Sequence, residues 1–244
     1  MQFFIVMEPG EIKNASVLKY QIVYSAYRLG ADGRLYRAAD TPDFSRGYML
    51  LSAATETPKI EDETVLEILG ECKSRGFFGV IINFDSVTLL DRLSAVFPQS
   101  KLKLIVHEEF GLKYKDAFVI VSAALSGGTL KRRLLEAAEL FGSERIILDI
   151  ERICKDFKLP AQDGEGRDLT REEFSKIMER ANPAPFFSSE LQCYYFSFIE
   201  NEQTHFILYD NLSSIKSKLQ MAESLKVNKA MFLFGETSNI LHNL

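Results

Sequence analysis

The run Phe78-Gly-Val-Ile-Ile-Asn-Phe-Asp85 sets an amide and a carboxylate two residues apart in an otherwise apolar stretch. In an extended chain every second side chain faces the same way, so Gly79, Ile81, Asn83 and Asp85 share one face, and Phe78, Val80, Ile82 and Phe84 the other. Asp85 could move a proton; followed by Ser86 and a helical run, a helix cap is its plainer reading. His107-Glu-Glu109 places an imidazole beside two carboxylates, which suits acid/base work or a metal, although alternation lets only His107 and Glu109 share a face and a solvated loop is the plainer reading. Asp149 and Glu151 alternate in the same way, and either form a polar mouth or pair with Arg145 and Arg152. Glu8, before Pro9-Gly10, is a lining carboxylate or a solvated loop charge. Gly127-Gly128 could hold a phosphate at a helix N-terminus, but a plain turn suffices. Phe186-Phe187 and Tyr194-Tyr-Phe196 suit a core or a platform for stacking on a sugar.

These residues need elements to hold them. Eight short apolar runs alternate with helical stretches, the pattern of a parallel sheet: Phe3–Met7, Gln21–Ala26, Tyr48–Ala53, Phe78–Phe84, Leu102–His107, Phe118–Ala123, Arg145–Ile150 and Ala230–Phe234. Eight is the number that closes a (β/α)8 barrel, whose chemistry lies at the C-terminal ends of its strands. Amphipathic helices are expected over Asp62–Arg75, Leu89–Phe97, Thr129–Phe141 and Ser213–Leu225. Ser126-Gly-Gly-Thr129 reads as a turn and N-cap, Gly142 as a C-cap, and Thr170-Arg-Glu-Glu173 has capping-box spacing. Gly111–Ala117 is too short for an outer helix. The segment from Cys154 to Tyr209 exceeds one βα repeat. It holds a Gly-rich turn, a helix near Thr170–Ala181 and two strand-like runs, Leu191–Phe198 and His205–Tyr209, around a hairpin loop at Ile199–Thr204, so it reads as a small α+β insertion between strands 7 and 8.

The 244 residues, 46% of them hydrophobic, suit one domain spanning 1–244, with the insertion at about 154–209. With 29 basic against 34 acidic residues and no long run of either sign, nucleic acid is not an expected partner. Cys72, Cys154 and Cys193 are widely spaced and read as reduced core residues, with no metal site and no cofactor expected. No apolar run is long enough to span a bilayer, and the first residues lack a signal peptide's basic start, so the expected setting is cytoplasmic, with no membrane partner.

The stretch His205-Phe-Ile-Leu-Tyr-Asp-Asn-Leu-Ser-Ser-Ile-Lys-Ser-Lys218, running to Ala230-Met-Phe-Leu-Phe-Gly-Glu236, resembles the end of glycoside hydrolase family 18 barrels. There a Tyr-x-Asp-x-x-Ser turn, a helical Lys and a final Trp-x-x-Gly follow one another; Ser214 and Lys218 match, Asn211 stands where Asp is usual, and Phe232 takes the place of Trp. Asp156-Phe-Lys-Leu-Pro160 with Leu169-Thr170 is similar to the insertion region of the spore-cortex and chitinase-like branch. Gln21 to Leu35 is similar to the family's second strand and turn. The resemblance covers nearly the whole chain.

What the resemblance implies turns on the fourth strand, where the family carries DG-x-D-x-D-x-E. Asp85 stands for the terminal acid that protonates the leaving oxygen, one methylene short. Asn83 can orient an acetamido group but lacks the carboxylate's charge, and Ile81 removes a third polar group. Val121-Ser-Ala-Ala-Leu125 replaces the family's Met-x-Tyr-Asp, and the chain has no Trp to floor a sugar site. The expectation is a catalytically degenerate barrel that binds a glycan containing N-acetylglucosamine or a protein partner, in a bacterial spore or cell-wall setting. Glu8, His107, Glu109, Ser122, Asp149, Phe232 and Glu236 are expected at its mouth. The alternatives are an active hydrolase on chitin or peptidoglycan with Asp85 as acid, and an unrelated barrel enzyme using His107, Glu109 and Asp149 on a small molecule.

Overall fold

The structure, a computed structural model, describes residues 1–17, 19–39, 41–125, 128–160 and 166–244. The chain opens with β1 (Gln2–Met7), a 3-10 stretch at Pro9–Val17, β2 (Gln21–Leu29), β3 (Leu35–Arg37) and β4 (Tyr48–Ala53). Next come α1 (Asp62–Arg75), β5 (Gly79–Ile82), α2 (Val87–Ser100), β6 (Lys103–His107), β7 (Phe118–Ser122), α3 (Leu130–Phe141) and β8 (Ile146–Asp149). Then follow β9 (Cys154–Leu159), β10 (Arg167–Asp168), α4 (Arg171–Ala181), β11 (Phe186–Ser188), β12 (Cys193–Glu200) and β13 (Gln203–Tyr209). The chain finishes with α5 (Leu212–Ser224), β14 (Lys229–Leu233) and α6 (Phe234–Thr237).

Eight parallel strands close on themselves in the order β1, β2, β4, β5, β6, β7, β8, β14 and back to β1, with β3 antiparallel on the edge of β2. This is the expected (β/α)8 barrel. Alternation sorts its side chains: Phe4, Val6, Val23, Tyr48, Ile81, Ile105, Ile120, Ile147 and Met231 fill the inside. The opposite row, Val80, Ile82, Val106, Val119, Val121 and Leu148 among it, packs outward on the helices. At Gly79 a Cβ would sit 2.1 Å from the carbonyl oxygen of Lys103, so only glycine lets β5 approach β6 there. Phe78 departs from the expected outward packing. It lies ahead of β5, 44% exposed, with its ring against Tyr48.

The helices begin where local hydrogen bonding allows. Ser86 caps α2 by accepting from the amide of Leu89 at 3.3 Å, Thr129 caps α3 by accepting from that of Arg132 at 3.1 Å, and Thr170 and Glu173 form a reciprocal capping box on α4. Ser126 and Gly127 of the expected turn lie outside the described residues, as does most of the Gly-rich turn, 161–165. Gly142 ends α3 as expected. No outer helix stands between β6 and β7. In its place Arg145 donates to the carbonyls of Gly111, Tyr114 and Ala117 at 2.8–2.9 Å, binding backbone groups a helix would have satisfied internally. The expected partnership of Arg145 with Asp149 or Glu151 is therefore replaced by backbone ties.

Between β8 and β14 the chain leaves the barrel to form an antiparallel sheet in the order β10, β9, β13, β12, β11. Asn201 and Glu202, both at positive φ, make a two-residue turn between β12 and β13, tighter than the six-residue loop expected. One face packs on α4 through Phe196, Ile207 and Tyr209, and the other meets the barrel through Ile153, Cys193, Leu208 and Ala124. The three cysteines are free, two buried and Cys154 half-buried.

Candidate functional site

The C-terminal ends of the barrel strands bring together residues from five segments. On β5 the inward row runs Gly79, Ile81, Asn83. Ile81 is 1% exposed in the barrel interior, and Asn83 emerges at the mouth, where its amide oxygen lies 3.1 Å from Nε2 of His107. Its backbone N–H still donates to Leu51 at 2.9 Å, so Asn83 is held at both ends. Asp85 lies beyond the strand, exposed, and makes no side-chain hydrogen bond or ion pair among the described residues. It does not cap α2; Ser86 does, because the cap position falls one residue later.

The neighbouring strand ends carry the second group. Ser122 and Asp149 are register partners on β7 and β8, and the Ser122 hydroxyl donates to Glu151 at 3.2 Å while accepting from the amide of Ala124 at 3.0 Å. Asp149 is partly buried. Burial pushes its carboxyl up to about 7, and the negative charges of Glu151 and Glu236 push the same way. Glu236 sits on α6, where its carboxylate accepts from the amide of Arg152 at 3.4 Å. The guanidinium of Arg152 donates to the carbonyl of Glu236 and to Asn239, not to Asp149 or Glu151.

Two expected mouth residues are placed elsewhere, and a third is solvated at the end of its strand. Phe232 is fully buried on the outward face of β14, edge-on to Phe3 at 5.2 Å, because Met231 and Leu233 take the inward positions of that strand. Glu109 does not share a strand face with His107. The strand stops at His107, and Glu108–Phe110 is a 3-10 turn that leaves Glu109 exposed and pairs Glu108 with Arg133. Glu8 is exposed past the end of β1, its backbone amide donating to Glu11 at 2.9 Å.

The insertion sheet divides the aromatic group between two roles. Phe187, Tyr194 and Phe196 point to the α4 side. On the other face Phe186, Tyr195, Phe206 and Phe157 form a row, with centroids 5.8, 5.3 and 6.3 Å apart in sequence. Phe186 is 60% exposed, and this face is the one that meets Ala124 just past β7. Sequence reading recognised the aromatics but not their division, which follows from alternation once the strand register is known.

It also missed a buried ion pair. Lys218 donates to Asp210 at 2.6 Å with both side chains fully buried, and Asp210 also accepts from the Ser214 hydroxyl at 2.7 Å and the Ile153 amide at 3.2 Å. The carboxylate belongs to Asp210, one residue before the expected position. Asn211 instead caps α5, accepting from the Ser214 amide at 3.0 Å. The signal was present as Asp210, Ser214 and Lys218 at helical spacing of four.

No family model matches the sequence, and no curated protein matches it. Solved structures do. The spore cortex-lytic enzyme SleL of Bacillus cereus superposes with a TM-score of 0.68 at 14% identity, over 95% of this chain and 70% of that one. The chitinase of Chromobacterium violaceum gives 0.65 at 12%, over 94% and 93%. A GH18 chitinase of Cycas revoluta in complex with (GlcNAc)3 gives 0.65 at 13%, over 98% and 97%. The chain shares the (β/α)8 barrel fold of these structures. Among the described residues, no group of His, Cys, Asp and Glu could hold a metal ion, and no helix is long and apolar enough to cross a membrane.

Proposed function

We propose that this chain is a family 18-type barrel that binds a glycan containing N-acetylglucosamine at its C-terminal mouth and does not hydrolyse it. The inward row of β5 carries this reading. Ile81 is sealed in the barrel core, the Asn83 amide is joined to His107, and Asp85 stands exposed without a side-chain partner among the described residues. A general acid must reach the leaving oxygen with its proton, and a side chain one methylene short of glutamate falls about 1 Å away from that point. What remains suits recognition. Asn83, His107 and Ser122 offer polar atoms to an acetamido group and hydroxyls, and the row from Phe186 to Phe157 offers ring faces to sugars leaving the mouth. The structural neighbours include chitinases and spore-cortex-lytic enzymes, one of them in complex with (GlcNAc)3, which supports this class of ligand and a spore or cell-wall setting.

The deciding experiment is hydrolysis and binding of fluorogenic N-acetyl-chitooligosaccharides by the purified chain, with Asp85→Asn as control. Saturable binding without turnover is expected. Turnover abolished by Asp85→Asn overturns the reading in favour of a hydrolase with Asp85 as acid.

A second reading rests on Asp149. A carboxyl held at about 7 inside a barrel mouth is poised to give or take a proton near neutrality, so a catalytic mouth would use Asp149 rather than Asp85. Turnover that survives Asp85→Asn and disappears in Asp149→Asn is its signature.

A further inference from the structure

Away from the barrel mouth, on the α4 side of the insertion sheet, a cleft of about 310 Å3 opens between the helix and the strands. At its base His205 of β13 is 8% exposed and Asp156 of β9 is 6% exposed. Nδ1 of His205 lies 2.9 Å from both carboxylate oxygens of Asp156, and the ring of Phe198 stacks on the imidazole at 4.9 Å and 16°. The ring is thus fixed in plane and in rotation. Its Nε2 has no protein partner among the described residues, although His205 lines the cleft.

A buried His–Asp pair does little for stability that an apolar pair of the same volume would not do, because both groups lose hydration. The surroundings give it another use. Lys158, Arg167, Lys176 and Arg180 line the same cleft. Glu173 holds Arg167 at 2.6 Å and Glu200 holds Arg180 at 2.8 Å, which orients each guanidinium and leaves further N–H groups free to donate. Lys158 has no ion pair among the described residues. With Nδ1 engaged by Asp156, Nε2 is the ring nitrogen left to meet a ligand in the cleft.

We propose that this cleft binds a phosphate group, through Nε2 of His205, the ammonium of Lys158 and the outer edges of Arg167 and Arg180. A tetrahedral dianion offers oxygens to donors arriving from the sheet and from the helix at once. A carboxylate has two oxygens in one plane, and a neutral sugar would leave Lys158, the lining cation with no ion pair among the described residues, without a counter-charge. This site is separate from the barrel mouth and independent of what binds there.

The test is NMR of the full chain labelled with 15N-histidine, titrated at constant ionic strength with inorganic phosphate and, separately, glycerol 1-phosphate. The protein has three histidines, so His107 and His242 are internal references. A saturable shift confined to Nε2 of His205 is expected, weakened at least about tenfold in Lys158→Glu, a change at an exposed position that leaves the fold intact. Tighter binding of glycerol 1-phosphate supports an organic phosphate as the ligand; equal binding supports the free anion. No saturable shift with either probe, equal movement of all three histidines, or full binding by Lys158→Glu overturns the proposal.

Discussion

The amide oxygen of Asn83 lies 3.1 Å from Nε2 of His107, joining the ends of two adjacent barrel strands across the mouth. His107 is the last residue of β6 and Asn83 directly follows β5, so the bond orders the polar surface that a ligand would meet.

If that surface recognises N-acetylglucosamine, His107→Ala frees the Asn83 amide and removes a polar contact. Losing one hydrogen bond's worth of orientation corresponds to about 1 kcal/mol, so binding of chitooligosaccharide should weaken by about five- to tenfold, with little change in melting temperature. Calorimetric titration of wild type and variant checks this; unchanged affinity places the ligand elsewhere.

Asp149 predicts a pH dependence of stability. Its folded-state value of about 7 lies above a carboxyl's ordinary value of 3.8, so the folded chain binds the proton more tightly than the unfolded chain does. Stability from this group is therefore greatest at low pH and is lost as pH rises from about 4 to about 7, by up to about 4 kcal/mol. Asp149→Asn should remove that loss and be the more stable protein at pH 8. Urea unfolding of both proteins from pH 4 to 8 measures it, and parallel curves would count against a buried acid.

The Lys218–Asp210 pair should be asymmetric to break. Asp210→Ala leaves a fully buried ammonium without its counter-charge and should cost about 3–5 kcal/mol, whereas replacing both residues with Asp210→Leu and Lys218→Met should cost clearly less. Chemical denaturation of the single and double variants gives the comparison. Equal losses would mean that the charge pair itself is not the issue.

On the insertion, Phe186→Ala removes a ring that is 60% exposed. Stability should change by less than about 0.5 kcal/mol, while affinity for longer chitooligosaccharides should fall by severalfold and that for the monosaccharide stay put. An equal effect on short and long sugars would remove the aromatic row from the binding surface.

The barrel was readable because its information is local. Alternation along Gly79–Ile82 predicts which residues meet the interior, and Ile81 inside with Val80 and Ile82 outside is that prediction realised. Capping boxes and glycine helix ends are equally local, which is why Thr170 with Glu173 and Gly142 are visible in the chain. Alternation fails as a guide once a strand stops. Glu109 turns into a 3-10 segment, Asp85 passes beyond the strand into solvent, and the cap falls to Ser86. For Phe232 the strand was identified, and placing Met231 and Leu233 inward puts it outside.

The sequence by itself determined the eight-strand repeat, the excursion before the last strand and the apolar and polar types along the fourth strand, since each depends on residue type at short spacing. Only the tertiary structure decided which polar groups meet. Asn83 and His107 are 24 residues apart, His205 and Asp156 are 49 apart, and Lys229 of β14 pairs in register with Gln2 of β1 at the other end of the chain. Such contacts follow from strand order and register, which are set by burying the apolar faces of all the elements together, and no local pattern encodes them.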